Sequence, residues 1–244
     1  MGHEVMTGDS RSTEPGGPDG WALTPEGAAI HLGEGVAVVA DVHLGYEWAR
    51  GAGGDMVPPH SLAETIGKLG RILARGGIGR LIVAGDLVES HHPCRRTERD
   101  VRALEAWLRE RDVALEVVQG NHDPVKRPPR PWTVEVGGWT VGHGHRPILG
   151  ERIVFGHHHP ALRAGGLTAP CFLVGPRLIV LPAFSANAAG LPASAVPLPR
   201  GFESEAIRCL AGVGDQVLDF GPLTTLDARL ARVGDPSVSR RPAT

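Results

Sequence analysis

Cysteine is scarce: Cys94, Cys171 and Cys209 are the only three, and no C-x-x-C spacing occurs. An odd count without that spacing argues against a disulfide framework or a thiolate zinc ribbon, and favours a reducing compartment. Aromatic residues are few as well, with 1 Tyr and 5 Phe, so no obvious stacking platform for single-stranded nucleic acid is visible. Excess positive charge is missing too. A formal net charge of -2 excludes the diffuse basic character of a general nucleic-acid coat. No apolar run approaches the roughly 20 residues of a membrane span, and the N-terminus lacks a signal-type apolar region. The expectation is a soluble, cytoplasmic protein with no membrane partner.

What the chain does have is histidine, 12 in 244 residues. Rich in imidazole and poor in thiol, it points toward metal or acid–base chemistry. A hydrophobic content of 41% with only 21% charged residues excludes a disordered chain. Residues 1–20 and 234–244, polar and rich in Gly, Pro and charge, read as flexible tails around one domain over 21–233.

Within that domain the pattern changes halfway. Val36–Ala40, Leu81–Ala84 and Ala114–Val118 read as buried strands. Leu62, Ile66, Leu69 and Leu73 recur at helical spacing between the first two, with Ser61 and Glu64 forming a capping box. Val101, Leu104 and Leu108 give a second amphipathic helix, whose arginine-rich outer side reads as a solvated face. From Trp132 onward short β-type runs follow one another, closing in a hairpin of Ala206–Leu210 and Gln216–Phe220. The expected fold is α/β (mixed α+β): βαβαβ, then mostly β, with two sheets inside and helices outside. Trp21, Trp107 and Trp132 are expected in core or rim packing.

Each early strand ends in a polar cluster: Asp41 and His43, then Gly85 and Asp86, then Gly120-Asn121-His122-Asp123. Carboxyl ends of parallel strands share one sheet edge, so these clusters should converge. Gly142–His145 and Gly156–His159 also follow β-type runs. Carboxylates, imidazoles and one amide suit a borderline-to-hard divalent ion such as Mn²⁺, Fe²⁺ or Zn²⁺. They are too many for one ion of low coordination number and fit two ions about 3.5–4 Å apart.

In this order the residues form a pattern: Asp41-Val42-His43, Gly85–Glu89, Gly120–Asp123, His143 and Gly156–His159. The chain thereby resembles the calcineurin-like metallophosphoesterase superfamily over roughly residues 36 to 190. Asp41–Glu47, Val57-Pro58, His159-Pro160, Pro170–Phe172 and Leu181–Phe184 extend the likeness to the small ligase-associated, SbcD-related DNA-repair phosphoesterases. Glu89 departs from that subgroup, where histidine is expected.

The resemblance implies a four-layer α-β-β-α sandwich of two mixed sheets and two divalent ions. Mn²⁺ is the first choice, with Fe²⁺, Zn²⁺, Co²⁺ or Ni²⁺ as alternatives. It implies that Asp41, His43, Asp86 and His159 hold one ion. Asp86 bridges to a second, completed by Asn121, His143 and His157. His145 stays open as an alternative to His143, because Gly142–His145 and Gly156–His159 both fit G-H-x-H. His122 resembles the catalytic histidine, and Asp123 is expected to hydrogen-bond its imidazole and keep it charged near neutrality. A hydroxide bridging the two ions would attack phosphorus in line. His158, His91, His92 and Cys94 read as cleft-side or loop residues without an assigned role.

Substrate contacts are expected from Arg146 and from Lys126 and Arg127, which start a proline-stiffened cationic strip reaching Pro131. The function this implies is hydrolysis of a phosphodiester, DNA or nucleotide, by a phosphodiesterase or nuclease in DNA repair. A small-molecule phosphomonoesterase or cyclic-nucleotide phosphodiesterase is the alternative, and a non-catalytic interaction scaffold a third reading. Protein partners are not legible, and a homo-oligomer stays open, with Leu191–Pro199 as a place where a partner could meet the chain.

Overall fold

The computed structural model describes residues 17–92, 94–125, 129–164, 166–203 and 206–233. Most of both expected tails, and Lys126 and Arg127, lie outside the described residues. Residues 18–20 are a turn, in which Trp21 N–H donates to the Pro18 carbonyl at 3.2 Å.

Among the described residues, two mixed sheets and four α-helices make up the fold. The first sheet runs β1 (Trp21–Leu23), β2 (Ala29–His31), β3 (Val36–Val39), β4 (Arg80–Val83), β5 (Ala114–Val117) in spatial order. Its first three strands are antiparallel, whereas β3, β4 and β5 are parallel, with Val36 opposite Arg80 and Arg80 opposite Ala114. Parallel neighbours require crossovers. These are supplied by α1 (Tyr46–Ala52) with α2 (Ser61–Leu73), and by α3 (Arg95–Arg109).

The second sheet holds β6 (Thr133–Val136), β7 (Trp139–Gly142), β8 (Ile153–Phe155), β9 (Pro160–Ala164), β10 (Leu167–Gly175), β11 (Leu178–Val180), β12 (Leu191–Pro192), β13 (Arg208–Val213) and β14 (Gln216–Pro222). Strand β10 is the hub: its first half pairs with β9 and its second with β11 and β13. Helix α4 (Leu223–Val233) follows directly.

Alternation along β3 explains how the layers meet. Val36 and Val38 share a core with Trp21, Ile82, Trp139, Val154 and Phe172, so one face of each sheet meets the other. Ala37 and Val39 point the opposite way, into a cluster with Leu69, Ile72, Leu104 and Leu108 from α2 and α3. A third cluster places Phe155, Cys171, Leu173 and Cys209 against Leu223 and Leu226 of α4. An all-buried strand therefore reads as a continuous apolar run.

The capping box is corrected. His60 is the N-cap of α2, and no side chain caps it. The Ser61 hydroxyl instead donates to Glu47 Oε1 at 3.1 Å and accepts from Gly45 N–H at 3.2 Å, while Glu64 pairs with Lys68 at 3.2 Å. A buried carboxylate at Glu47 needed a donor, and Ser61 supplies it.

Candidate metal centre

The parallel strands do end together. Beyond β3 the chain leaves the ladder but stays tied to the segment after β4: Asp41 N–H donates to the Gly85 carbonyl (3.1 Å), and His43 N–H to the Asp86 carbonyl (3.0 Å). The loop after β8 closes on the same point, with His157 N–H donating to Asp41 Oδ2 at 2.8 Å. Asp41, His43, Asp86, His143, His157 and His159 thus gather on one edge, in two groups. One is Asp41, His43 and His159, the other Asp86, His143 and His157; within each, the ligand atoms lie within 4.8 Å of one another.

Backbone geometry marks these residues independently. Seven non-glycine residues among those described have positive φ, and five of them are Asp41, His43, Asp86, His157 and His159. The left-handed region costs an L-residue on the order of 1–3 kcal/mol, so it persists where the surroundings enforce it. Here it falls just beyond the ends of β3, β4 and β8. Gly85, at φ 85°, has no room for a Cβ against the His143 ring, and a Cβ at Gly120 would strike the Asp86 carboxylate.

The His143 side chain is oriented by its hydrogen bonds. Nδ1 donates to the Ala84 carbonyl at 2.9 Å, so this nitrogen carries a proton. Nε2 then faces Asn121 Oδ1 at 3.0 Å and Asp86 Oδ2 at 3.2 Å. One nitrogen and two oxygens converging in this way form a donor set for a hard or borderline cation. His145 is in neither group; its ring centroid is 5.2 Å from that of His143, on the outer side next to Trp132.

A cation fits this site on a second ground. Asp41 Oδ1 is buried without a hydrogen-bond partner among the described residues. His159 Nε2 approaches it at 3.0 Å without hydrogen-bond alignment, whereas His43 Nδ1 faces Glu89 Oε2 at 2.9 Å. Buried polar atoms left this way are costly unless something binds them.

Electrostatics follow from the packing. Burial works against the Asp86 carboxylate, but the His143 imidazole and the His122 N–H hold it at about 2. Burial also disfavours the charged forms of His43 and His143. The carboxylates around them (Glu89, Asp41 and Asp86 for His43; Asp86 and Asp41 for His143) outweigh that and raise both pKa values. For His157 burial wins: with His143 and His158 alongside, its pKa falls to about 4, leaving a neutral imidazole with a lone pair to give.

The catalytic-loop expectation is corrected at Asp123. Its carboxylate faces away from the His122 ring, accepting N–H bonds from Asp86 (3.0 Å), Gly120 (3.0 Å) and Val88 (3.3 Å) and pairing with Arg130 at 3.1 Å. It ties the ends of β4 and β5 together. His122 Nδ1 donates instead to the Glu89 carbonyl at 2.6 Å, which leaves Nε2 as the ring's other nitrogen. His43 and His122 rings meet edge-on at 5.2 Å. The adjacency of His122 and Asp123 in sequence suggested a pair, but neighbouring residues in this turn point apart.

Of the expected cationic strip, only Pro129–Pro131 lies among the described residues. Arg130 pairs with Asp123 at 3.1 Å, and Lys126 and Arg127 lie outside the described residues. Arg146 is placed as a substrate contact could be: its guanidinium stacks 3.9 Å over the half-exposed Trp132 ring. It lines an open groove of about 770 Å³ shared with His145, His158, Arg200, Phe155 and Phe202. Sequence reasoning missed two holders, Glu89 and the Ala84 carbonyl. The departure from the motif at position 89 was the available signal for the first; nothing in the sequence marks the second.

No protein-family model matches the chain, and no curated protein matches it. Among solved structures, it is similar to the nuclease MPE of Pseudomonas putida, with a TM-score of 0.61 and 23% identity over 81% of this chain and 94% of that one. At that identity the likeness is one of fold.

Proposed function

We propose that this chain is a metal-dependent phosphoesterase that hydrolyses phosphodiester bonds, with nucleic acid as the substrate class. The observation that carries the reading is the pair of ligand groups on one sheet edge, with Asp41 Oδ1 buried and unbonded among the described residues. The three hydrophobic clusters support the four-layer α-β-β-α sandwich expected for such an enzyme. The likeness in fold to a nuclease supports the substrate class.

On this reading Asp41, His43, Asp86 and His159 would hold one divalent ion, and Asp86, Asn121, His143 and His157 the other. Mn²⁺ is the first choice. Two bound ions would acidify a water toward hydroxide and offset charge on the phosphoryl oxygens. The rest is done by side chains. His122, fixed by its bond to the Glu89 carbonyl, presents Nε2 to a phosphoryl or leaving oxygen and supplies a proton there. Asp123 contributes by holding the His122 loop against Asp86 and Val88. Arg146 grips a flanking phosphate.

The purified chain with Mn²⁺ should hydrolyse bis-p-nitrophenyl phosphate. Assays with single- and double-stranded DNA, 2′,3′-cyclic nucleotides and p-nitrophenyl phosphate then sort nuclease, cyclic phosphodiesterase and monoesterase readings. Inactivity on every ester with Mn²⁺, Fe²⁺, Co²⁺, Ni²⁺ and Zn²⁺ supplied in turn would leave the interaction-scaffold reading.

A further inference from the structure

Glu89 lies outside both ligand groups yet touches the two histidines that matter most. Its N–H donates to the Leu44 carbonyl at 3.0 Å, fastening the segment after β4 to the loop that carries His43. From there its carboxylate Oε2 comes within 2.9 Å of His43 Nδ1, and its main-chain carbonyl accepts the His122 Nδ1 proton at 2.6 Å. The Glu89 side chain groups with His43 and His122, whereas the group of His43 with Asp41 and His159 does not include it. The carboxylate therefore meets His43 at Nδ1, and none of its oxygens lies within 4.8 Å of the ligand atoms of all three of Asp41, His43 and His159.

We infer that Glu89 is a positioning residue for the ion assigned to Asp41, His43 and His159, an inference that rests on the metal reading above. A neutral imidazole has one proton to place on two nitrogens. A carboxylate against Nδ1 favours the proton there, leaving the Nε2 lone pair for the ion. The same charge makes the imidazole a stronger donor, and removing such a partner typically costs about 10- to 100-fold in metal affinity. Glu89 differs from a ligand in acting through His43. It differs from a packing residue because it is partly exposed, at 24% of its side-chain surface, and is linked to the fold through its main chain.

Titration calorimetry of Mn²⁺ into the full, metal-free chain tests this. The wild type should show two binding events. Glu89→Ala should weaken one of them about 10- to 100-fold and leave the other, with the melting temperature in EDTA unchanged. Glu89→Gln keeps an acceptor but loses the charge, and should fall between the two. Unchanged affinities in Glu89→Ala overturn the assignment. So does equal weakening of both events together with a lower melting temperature in EDTA, which would mark a role in folding. A wild type that binds no Mn²⁺ overturns the metal reading itself, whereas two wild-type events that Glu89→Ala leaves intact overturn only the role of Glu89.

Discussion

Arg130 and Asp123 form an ion pair at 3.1 Å in which the carboxylate is fully buried and the guanidinium nearly so. The pair stands behind the loop that presents His122. Removing the cation strands a charge in the interior, which usually costs 3–5 kcal/mol. Three N–H donors still hold Asp123, so Arg130→Ala should lose about 3 kcal/mol in urea unfolding, the low end of that range. A loss below about 0.5 kcal/mol, the level of an ordinary surface change, would show that the amides alone suffice.

His122→Ala should separate chemistry from metal binding. The ring touches neither ligand group through its Nδ1, which is occupied by the Glu89 carbonyl. Turnover of bis-p-nitrophenyl phosphate should fall by about 10²–10⁴-fold, the span typical of a lost proton donor. Metal content by elemental analysis should match the wild type. Loss of metal along with turnover would instead place His122 among the ligands.

Metal affinity should depend on pH with a defined sign. In the metal-free chain His43 and His143 keep their protons to higher pH than a free histidine, because carboxylates face them. An ion must displace those protons, so affinity falls as pH drops from about 8 to about 6. Calorimetry in two buffers of different ionisation enthalpy should show proton release on binding. Equal heats in both buffers would count against neutralisation of these two imidazoles.

Gly85→Ala should damage the Asp86–His143–His157 group selectively. A methyl at φ 85° meets the His143 ring and strains the backbone at once. The expected result is one metal ion per chain instead of two, read by elemental analysis. Two retained ions would mean that His143 moves aside without cost to binding.

Much of the site was legible because the chemistry-bearing residues follow apolar strands whose parallel arrangement brings their ends together. Val36–Val39 and Leu81–Val83 show this directly, since full burial on both faces leaves an uninterrupted apolar run. What was not legible depends on contacts distant in sequence or too short to carry a period. Strands β1 and β2 have three residues each, below the length at which alternation can be read. The partner of Asp123 is seven residues on, beyond a proline-rich stretch. The Ser61 hydroxyl was claimed by Glu47, a carboxylate on a helix that the sequence pattern did not reveal.

Five of the candidate ligands hold the left-handed backbone described above, and this sets the centre against the stability of its own scaffold. Glycine would sit more easily at each of those five places than the aspartates and histidines found there. Any drift toward a more comfortable chain would therefore remove ligands one by one, and selection for robustness alone would erase the centre.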